Sequence, residues 1–247
     1  MKNKYSIKSI YKFECEDWFL KKHYLRRMPN INKVFGLYDN SNLLQGVCSF
    51  GKPISYTLVQ GAINGLYQNN FLELNRLVIN EGLEKNVLSF FVSGCLNRLP
   101  KPSVVVSYAD TSQGHHGFIY QATNWIYTGL SAKFKDYAVR GLEHMHHSSI
   151  EDSVGRYDEN KNINKHELLR KKYGDRLYMK ERPRKHRYFY FLGNKKEKAL
   201  MNENLQYKVE PYPKGDNKRY DASYVPSVQG VLFLLLTYFI NSIIIGM

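Results

Sequence analysis

The sequence predicts an α/β (α+β) chain in which a mixed central sheet is flanked by helices, followed by a basic C-terminal extension and a hydrophobic tail. Three observations carry that prediction. Ser103 to Ala109 (SVVVSYA) is a near-continuous β-branched run, the pattern of a strand buried on both faces. Asn86 to Leu99 places Leu88, Phe91, Val92, Cys95, Leu96 and Leu99 at helical spacing, and Pro100 and Pro102 end the run. Strand-like and helix-like segments alternate along residues 4–127, as they do where helices cover the faces of one sheet.

Lys4 to Phe13 (KYSIKSIYKF) alternates loosely and reads as the first strand. Cys15 to Tyr24 carries Trp18, Phe19 and Leu20 beside Lys21 and Lys22, an amphipathic helix that runs toward Arg26-Arg27 and stops at Pro29. Lys33 to Tyr38 and Leu43 to Phe50 are apolar runs joined by Asp39-Asn40-Ser41-Asn42, a hairpin signal. Phe71 to Ile79 (FLELNRLVI) is the next strand. After the 86–99 helix and the 103–109 strand, Gly117 to Asn124 reads as a short helix and Trp125 to Tyr127 as a strand. The order is β-α-β-β-β-α-β-α-β. The units at 71–99 and 103–123 are expected to make its parallel part with right-handed crossovers. Arg187 to Leu192 (RYFYFL) reads as a strand closing the sheet edge, and Asn194 to Asp221 as polar and irregular. The expected boundaries are a main domain over 1–192, a polar extension over 193–229 and a hydrophobic tail over 230–247.

That tail, VLFLLLTYFINSIIIGM from Val231, holds no charged residue. It falls just short of the roughly 20 apolar residues of a membrane span. A membrane anchor is permitted but not favoured over a packed terminal helix.

With 43% hydrophobic and 14% aromatic residues in 247, the chain has the material for a core and is not a disordered tail. Lys and Arg number 36 against 22 Asp and Glu, a net charge of +14. Such an excess speeds encounter with polyanions, of which nucleic acid is the first candidate. Residues Arg156 to Tyr188 hold twelve of the bases against five acids, interleaved with Tyr and Phe. The three cysteines, Cys15, Cys48 and Cys95, are odd in number and form no CxxC pair, which points to a reducing, cytoplasmic compartment. Met1 to Phe13 lacks the continuous apolar stretch of a signal peptide. There is no Walker or dinucleotide glycine pattern, so phosphoryl transfer and Rossmann chemistry are disfavoured.

Chemistry concentrates in Tyr108 to Trp125. This segment leaves the carboxyl end of the central strand through a glycine-rich turn into a helix, where open α/β sheets bind ligands. It brings Asp110, His115, His116 and Tyr120 to one locus, although Asp110 capping a turn and exposed histidines are an equally plain reading. With His23 and Tyr24 added, the oxygen and imidazole donors of His23, Tyr24, Asp110 and Tyr120 would suit non-haem iron or another divalent first-row ion. His144-x-His146-His147 is a second His-rich run with no paired carboxylate and reads as a solvated loop. Arg76 at a strand end and Ser89 in the first turn of a helix could receive an anionic cofactor, or be a surface arginine and a capping serine.

The runs ELNRLVI, NVLSFFV, SYADxSxGHxGxIYQAxNWxYxG and KHRYFYFL resemble the Mom family of phage adenine-modifying proteins, over roughly Glu16 to Leu192. The block from Ser107 to Gly129 is its most specific part. The resemblance implies a GNAT-like fold and a transferase that converts adenine in DNA to N6-(methylcarbamoyl)adenine, shielding phage DNA from host restriction. It further implies bound iron (Fe2+) and acetyl-CoA or another small acyl donor. Carried over position by position, the family's His-Tyr pair falls on His23 and Tyr24, its strand arginine on Arg76, its helix serine on Ser89, its aspartate on Asp110 and its helix tyrosine on Tyr120. The resemblance assigns His23, Tyr24 and Asp110 to the metal, Arg76 and Ser89 to the acyl cofactor, and Asp110, Tyr120 and His23 to catalysis.

One departure bears on the donor. Where a GNAT protein has a glycine- and arginine-rich pyrophosphate loop, this chain has Glu81-Gly82-Leu83-Glu84-Lys85-Asn86, whose two acids repel CoA phosphates. DNA phosphates are expected at Lys21, Lys22, Arg26 and Arg27 and at Arg182, Arg184 and Lys185 of the basic stretch. The adenine must leave the stack of double-stranded DNA to reach a buried centre. Two competing functions remain at this point: a GNAT acyltransferase acting on a protein or small-molecule amine, and a non-catalytic DNA-binding accessory protein. Oligomeric state and DNA sequence preference leave no trace in the sequence.

Overall fold

The computed structural model describes residues 1, 3–145, 147–155 and 164–216, in two compact units. The first comprises Met1–Gly129 with the chain from His186 onward, and the second Leu130–Lys185. The expected tail and the polar stretch before it lie outside the described residues from 217 on. Among the described residues no helix is long and apolar enough to cross a membrane.

The first unit is built on a seven-stranded sheet ordered β1-β2-β3-β4-β5-β9-β6. Strands β1 (Tyr5–Ser9), β2 (Lys33–Asp39), β3 (Leu44–Gly51) and β4 (Phe71–Ile79) run antiparallel in sequence, and β4 pairs parallel with β5 (Ser103–Asp110). The expected hairpin is β2–β3. Its turn is held by Asp39, whose Oδ1 accepts the Ser41 and Leu43 N–H groups, both at 2.9 Å. The β-branched run becomes β5, with Val104, Val105 and Val106 all fully buried. Alternation sends Val105 to the face that packs under helix α2 (Val87–Leu96), with Phe91, Val92, Cys95 and Leu96. Val104 and Val106 face the other way, into a cluster with Phe71, Phe189 and Ile63. Each such side chain contributes on the order of 2 kcal/mol of burial.

Four expectations are corrected. The strand at the chain's basic end, β9 (Lys185–Leu192), does not close the edge but lies between β5 and β6 (Ile126–Leu130), and β6 is the edge. Its Tyr188 and Phe189 are both fully buried, one on each face, as an interior strand requires. The parallel pairing at β4–β5 stands, but β5 and β6 are not neighbours. The amphipathic helix over Cys15–Tyr24 is instead a 3-10 turn, Lys12–Cys15, and a π-helical turn, Trp18–Lys22, closed by the His23 N–H on Trp18 O at 2.9 Å. The wider turn lets the adjacent Trp18 and Phe19 both enter the core. Finally, the region expected to be irregular opens with a helix, Lys195–Glu203. Asn194 and Glu197 form a capping box, and Met201 is buried against the Phe189 cluster. Two short helices complete the unit, α1 (Tyr56–Gly61) and α3 (Phe118–Ala122).

The second unit pairs β7 (Lys135–Val139) with β8 (Leu177–Glu181), and packs helices α4 (His147–Asp152) and α5 (Lys165–Tyr173) on them around Val139, Ile150, Leu169 and Leu177. The His-rich run does meet carboxylates here. His147 Nδ1 lies 3.4 Å from Glu151 and 3.7 Å from Asp136, while His146 lies outside the described residues.

Candidate active site

Strands β4 and β5 pair from Phe71↔Val104 to Leu74↔Ser107. Beyond that register, Asn75, Arg76, Leu77 and Ile79 with Tyr108 and Ala109 line one cavity of about 510 Å³. The loop Asn80–Asn86, the first turn of α2 and the start of α3 complete its walls. Of the six residues marked by the resemblance, His23, Tyr24, Arg76, Ser89 and Tyr120 line this cavity, drawn from segments far apart in sequence.

Tyr120 is 8% exposed and comes from α3. Its hydroxyl lies 2.7 Å from Ser107 Oγ, which itself donates to Leu74 O at 2.8 Å. Ser107 is the donor to both oxygens, sharing its one proton between Leu74 O and the Tyr120 hydroxyl, and the phenol accepts. That chain ties Tyr120 to the last paired residues of β4 and β5, where the strands part. Packing against Trp125 and Tyr188, with ring centroids 5.0 and 5.1 Å away, fixes the ring. Burial holds the phenol well above the usual tyrosine range, so it can donate a proton or a hydrogen bond and is not a base.

Arg76 donates from Nη1 to Asn75 O at 2.7 Å and from Nη2 to Arg27 O at 3.3 Å. Its Nε is buried without a hydrogen-bond partner, an orphaned cationic donor beside the cavity. Burial lowers its pKa, opposed by Tyr24 and Glu73. Ser89 donates to Asn86 O at 3.0 Å in the first turn of α2, whose N-terminal backbone forms the same wall. Of the two acids in the Glu81–Asn86 loop, Glu84 is paired with Lys4 at 2.6 Å, which offsets part of the expected repulsion of an anionic donor.

Asp110 is placed differently. It does not line the cavity, and its Oδ1 accepts from Ser112 N at 2.9 Å and Ser112 Oγ at 2.6 Å, capping the turn Thr111–Gln113. The carbonyl of Asp110 accepts the His115 N–H at 3.1 Å and so sets where His115 enters the cavity wall. His115 is half-buried. Burial pulls its pKa below the ordinary histidine value, and the Asp110 charge works against that pull. Its ring meets Tyr24 edge-on at 5.8 Å, and Tyr24 stacks on His23 at 4.4 Å, making a continuous aromatic wall.

Of the residues expected on iron, His23 and Tyr24 line the cavity and Asp110 does not. Among the described residues no group of three His, Cys, Asp or Glu side chains is placed to hold a metal ion. His23 Nδ1 accepts the Leu25 N–H at 3.1 Å, so the neutral ring carries its proton on Nε2, the nitrogen a metal would need unprotonated.

The residues expected on DNA divide. Lys21, Arg26 and Arg27 are exposed, with Lys21 also 3.0 Å from Asp17. Lys22 is 2% exposed and cannot meet a phosphate, because the π-helical turn rotates it inward. In the second unit Arg182 grips Asp136 with Nε at 2.8 and 3.0 Å, and Arg184 donates to Ser131 O at 2.6 Å and Leu130 O at 3.1 Å. Both guanidiniums are committed to that unit's own backbone and carboxylate. Lys185, half-buried, donates its own N–H to Ser131 Oγ at 3.0 Å.

Sequence reasoning gave no role to Ser107 and Asn75, although both lie in the quoted runs, and missed the strap formed by residues 205–216. That strap holds the far side of α3 and β6 through Glu210 N to Tyr127 O at 3.0 Å, Tyr212 OH to Trp125 O at 2.6 Å and Gln121 Nε2 to Pro213 O at 3.2 Å.

Comparison with known proteins bears on the family directly. The methylcarbamoylase Mom of Escherichia phage Mu is 28% identical over 201 residues, spanning 78% of this chain and 77% of that protein. Similar solved structures include the spermidine/spermine N-acetyltransferase SpeG of Vibrio cholerae, 7% identical over 81% of this chain and 96% of that one, with a TM-score of 0.40. Another is a GNAT-family acetyltransferase of Bacillus cereus, 7% identical over 77% of this chain and 99% of that one, also at 0.40. At those values the structural likeness carries no argument. The family model of the Mom protein family matches residues 4–214, the whole sheet and the whole cavity, and the chain belongs to that family.

Proposed function

We propose that this chain is a transferase that places a methylcarbamoyl group on N6 of adenine in DNA. The observation that carries the reading is the convergence of His23, Tyr24, Arg76, Ser89 and Tyr120 in one cavity where β4 and β5 part. The phage Mu relative, a methylcarbamoylase, supports the transferred group, and the +14 charge supports a polyanionic substrate.

Adenine N6 is a weak nucleophile because its lone pair is shared with the ring. On this reading the amine attacks the carbonyl carbon of the bound donor. His115, kept neutral at pH 7 by burial, takes the N6 proton. Asp110 acts through His115, offsetting burial and fixing its backbone. Arg76 Nε and the N-terminus of α2 with Ser89 hold the carbonyl or anionic end of the donor as charge builds there. Tyr120 donates to the departing group. His23 and Tyr24 form the wall against which the base lies. A small acyl donor, acetyl-CoA or another, is the ligand this reading assigns to the cavity. Acetyl-CoA alone would transfer CH3–CO rather than CH3–NH–CO, so the amide nitrogen must come from the donor or from a prior step.

N6 with N7 is the edge that restriction enzymes read by bidentate hydrogen bonds in the major groove, so a substituent there denies that contact and protects the DNA. The protein then works where phage DNA is, inside the host cell. Nucleoside mass spectrometry of plasmid DNA from expressing cells tests the proposal. A modified adenine that disappears with Arg76→Ala, Ser89→Ala or Asp110→Ala is expected. Unmodified adenine in cells holding folded wild-type protein overturns it.

A further inference from the structure

Outside the cavity, one apolar feature of the first unit is built rather than merely exposed. Strand β3 ends at Gly51, where a Cβ would lie 2.0 Å from Asn30 O and 2.8 Å from the Asn75 amide, so the chain passes hard against a residue of the cavity wall. The next four residues, Lys52-Pro53-Ile54-Ser55, form a loop pinned at both ends, and Tyr56 opens α1. Lys52 N–H donates to Asn32 Oδ1 at 3.0 Å, and Ser55 Oγ caps α1 by accepting Leu58 N–H at 3.2 Å. Pro53 stiffens the span between these anchors. At the apex Ile54 is 97% exposed, and Tyr56 beside it is 73% exposed. A second pocket of about 330 Å³ opens behind them, walled by Pro53, Ile54, Tyr56, Val59 and Phe71 with Lys52 at its edge, and none of its lining residues is acidic.

A single exposed isoleucine needs no explanation. A pinned one, next to an exposed aromatic and a lysine on a chain of net charge +14, and three residues on from Gly51, which packs against Asn75 of the cavity wall, fits one partner: the base stack of duplex DNA. We infer that Ile54 is a wedge that enters the stack as the target adenine leaves it, with Tyr56 covering the exposed neighbouring base and Lys52 on the adjoining phosphate. This rests on the adenine-modification reading, since an adenine can enter the cavity only by leaving its stack. Apolar wedges of this kind offset unstacking by filling the gap they open.

The test uses full-length protein and a set of duplexes in which 2-aminopurine, bright when unstacked, replaces each adenine in turn. Wild-type protein should brighten at least one position. Ile54→Ala should need roughly tenfold more protein for the same signal, given a stacking contribution of this order. Ile54→Met should restore the signal. On a duplex whose target faces an abasic site, and so is already loosened, Ile54→Ala should match wild type. Because Ile54 is solvent-exposed, the thermal midpoint should not move. Equal brightening by Ile54→Ala and wild type on the intact duplex overturns the wedge, as does an equal loss on both duplexes. Adenine modification in cells by a wild-type protein that never brightens the duplex overturns the wedge alone. Brightening without any modified adenine overturns the transferase reading alone.

Discussion

Tyr120 and Ser107 show how a single hydroxyl pair can serve both architecture and chemistry. Because the phenol accepts from Ser107 and is fixed between two aromatic rings, Tyr120→Phe should keep the ring packing and lose the hydroxyl with its proton. Plasmid modification should fall by about a hundredfold, in the range for a lost proton donor, while stability changes by no more than about 1 kcal/mol. Nucleoside mass spectrometry and thermal melting read the two effects separately. The buried histidines give a pH dependence with a definite sign. His115 is held below its ordinary value of 6.5 mainly by burial, and so is His186, with His116 adding to the effect. Between that lowered folded pKa and 6.5 the unfolded chain binds more protons, so stability is complete above 6.5 and is lost as pH falls through the window. Modification should decline over the same window because His115 must be neutral. Melting from pH 5 to 8 should show the drop in wild type and a flatter profile in a His115→Gln, His186→Gln double variant. The identities of His115 and Tyr120 were legible in the Ser107–Gly129 block. The role of Ser107, the first residue of that block, was not, because one hydroxyl at the end of a β-branched run does not say what it bonds.

At the scale of elements, local chemistry and long-range packing divide what a sequence discloses. The β5 run and the α2 face announce themselves through periodicity, and the Asp39 turn through its residues. The Lys195–Glu203 helix went unread because its surface is so polar. Its signal lay in the Asn194–Glu197 capping box, and its stability in one buried side chain, Met201. Asn194→Ala should therefore cost about 1 kcal/mol, measured by urea denaturation of the whole chain, without changing modification. The turn Trp18–Lys22 escaped for a different reason. Two adjacent aromatics demanded burial together, and the backbone widened to satisfy them, carrying Lys22 inward.

For the whole molecule, net charge named a polyanion but not the face that meets it. Arg182 and Arg184, which composition placed on DNA, are hydrogen-bonded to groups of the second unit, while Arg26 and Arg27 stand exposed in the first. Replacing Arg26 and Arg27 by Ala should reduce the slope of log affinity against log salt by about 2, near 0.9 per lost phosphate contact. Fluorescence anisotropy between 50 and 200 mM salt, roughly the range where such slopes are read, measures it. An unchanged slope would remove these two arginines from the interface. Strand order was the global feature that sequence order concealed, since nothing in residues 185–192 says which neighbours they choose.

The placement of β9 between β5 and β6 has a consequence in time. A ribosome releases β5, α3 and β6 well before β9, and the whole second unit must emerge in between. Until residues 185–192 arrive, the two strands cannot take their final separation, and Tyr120 lacks the Tyr188 ring that holds it. The nascent chain therefore carries an open seam through its centre, and the ring that backs Tyr120 of the cavity comes from one of the last described strands to be made. Long-range closure of that kind is slow. The protein should gain activity in a single late step of its synthesis, with no working fragment along the way.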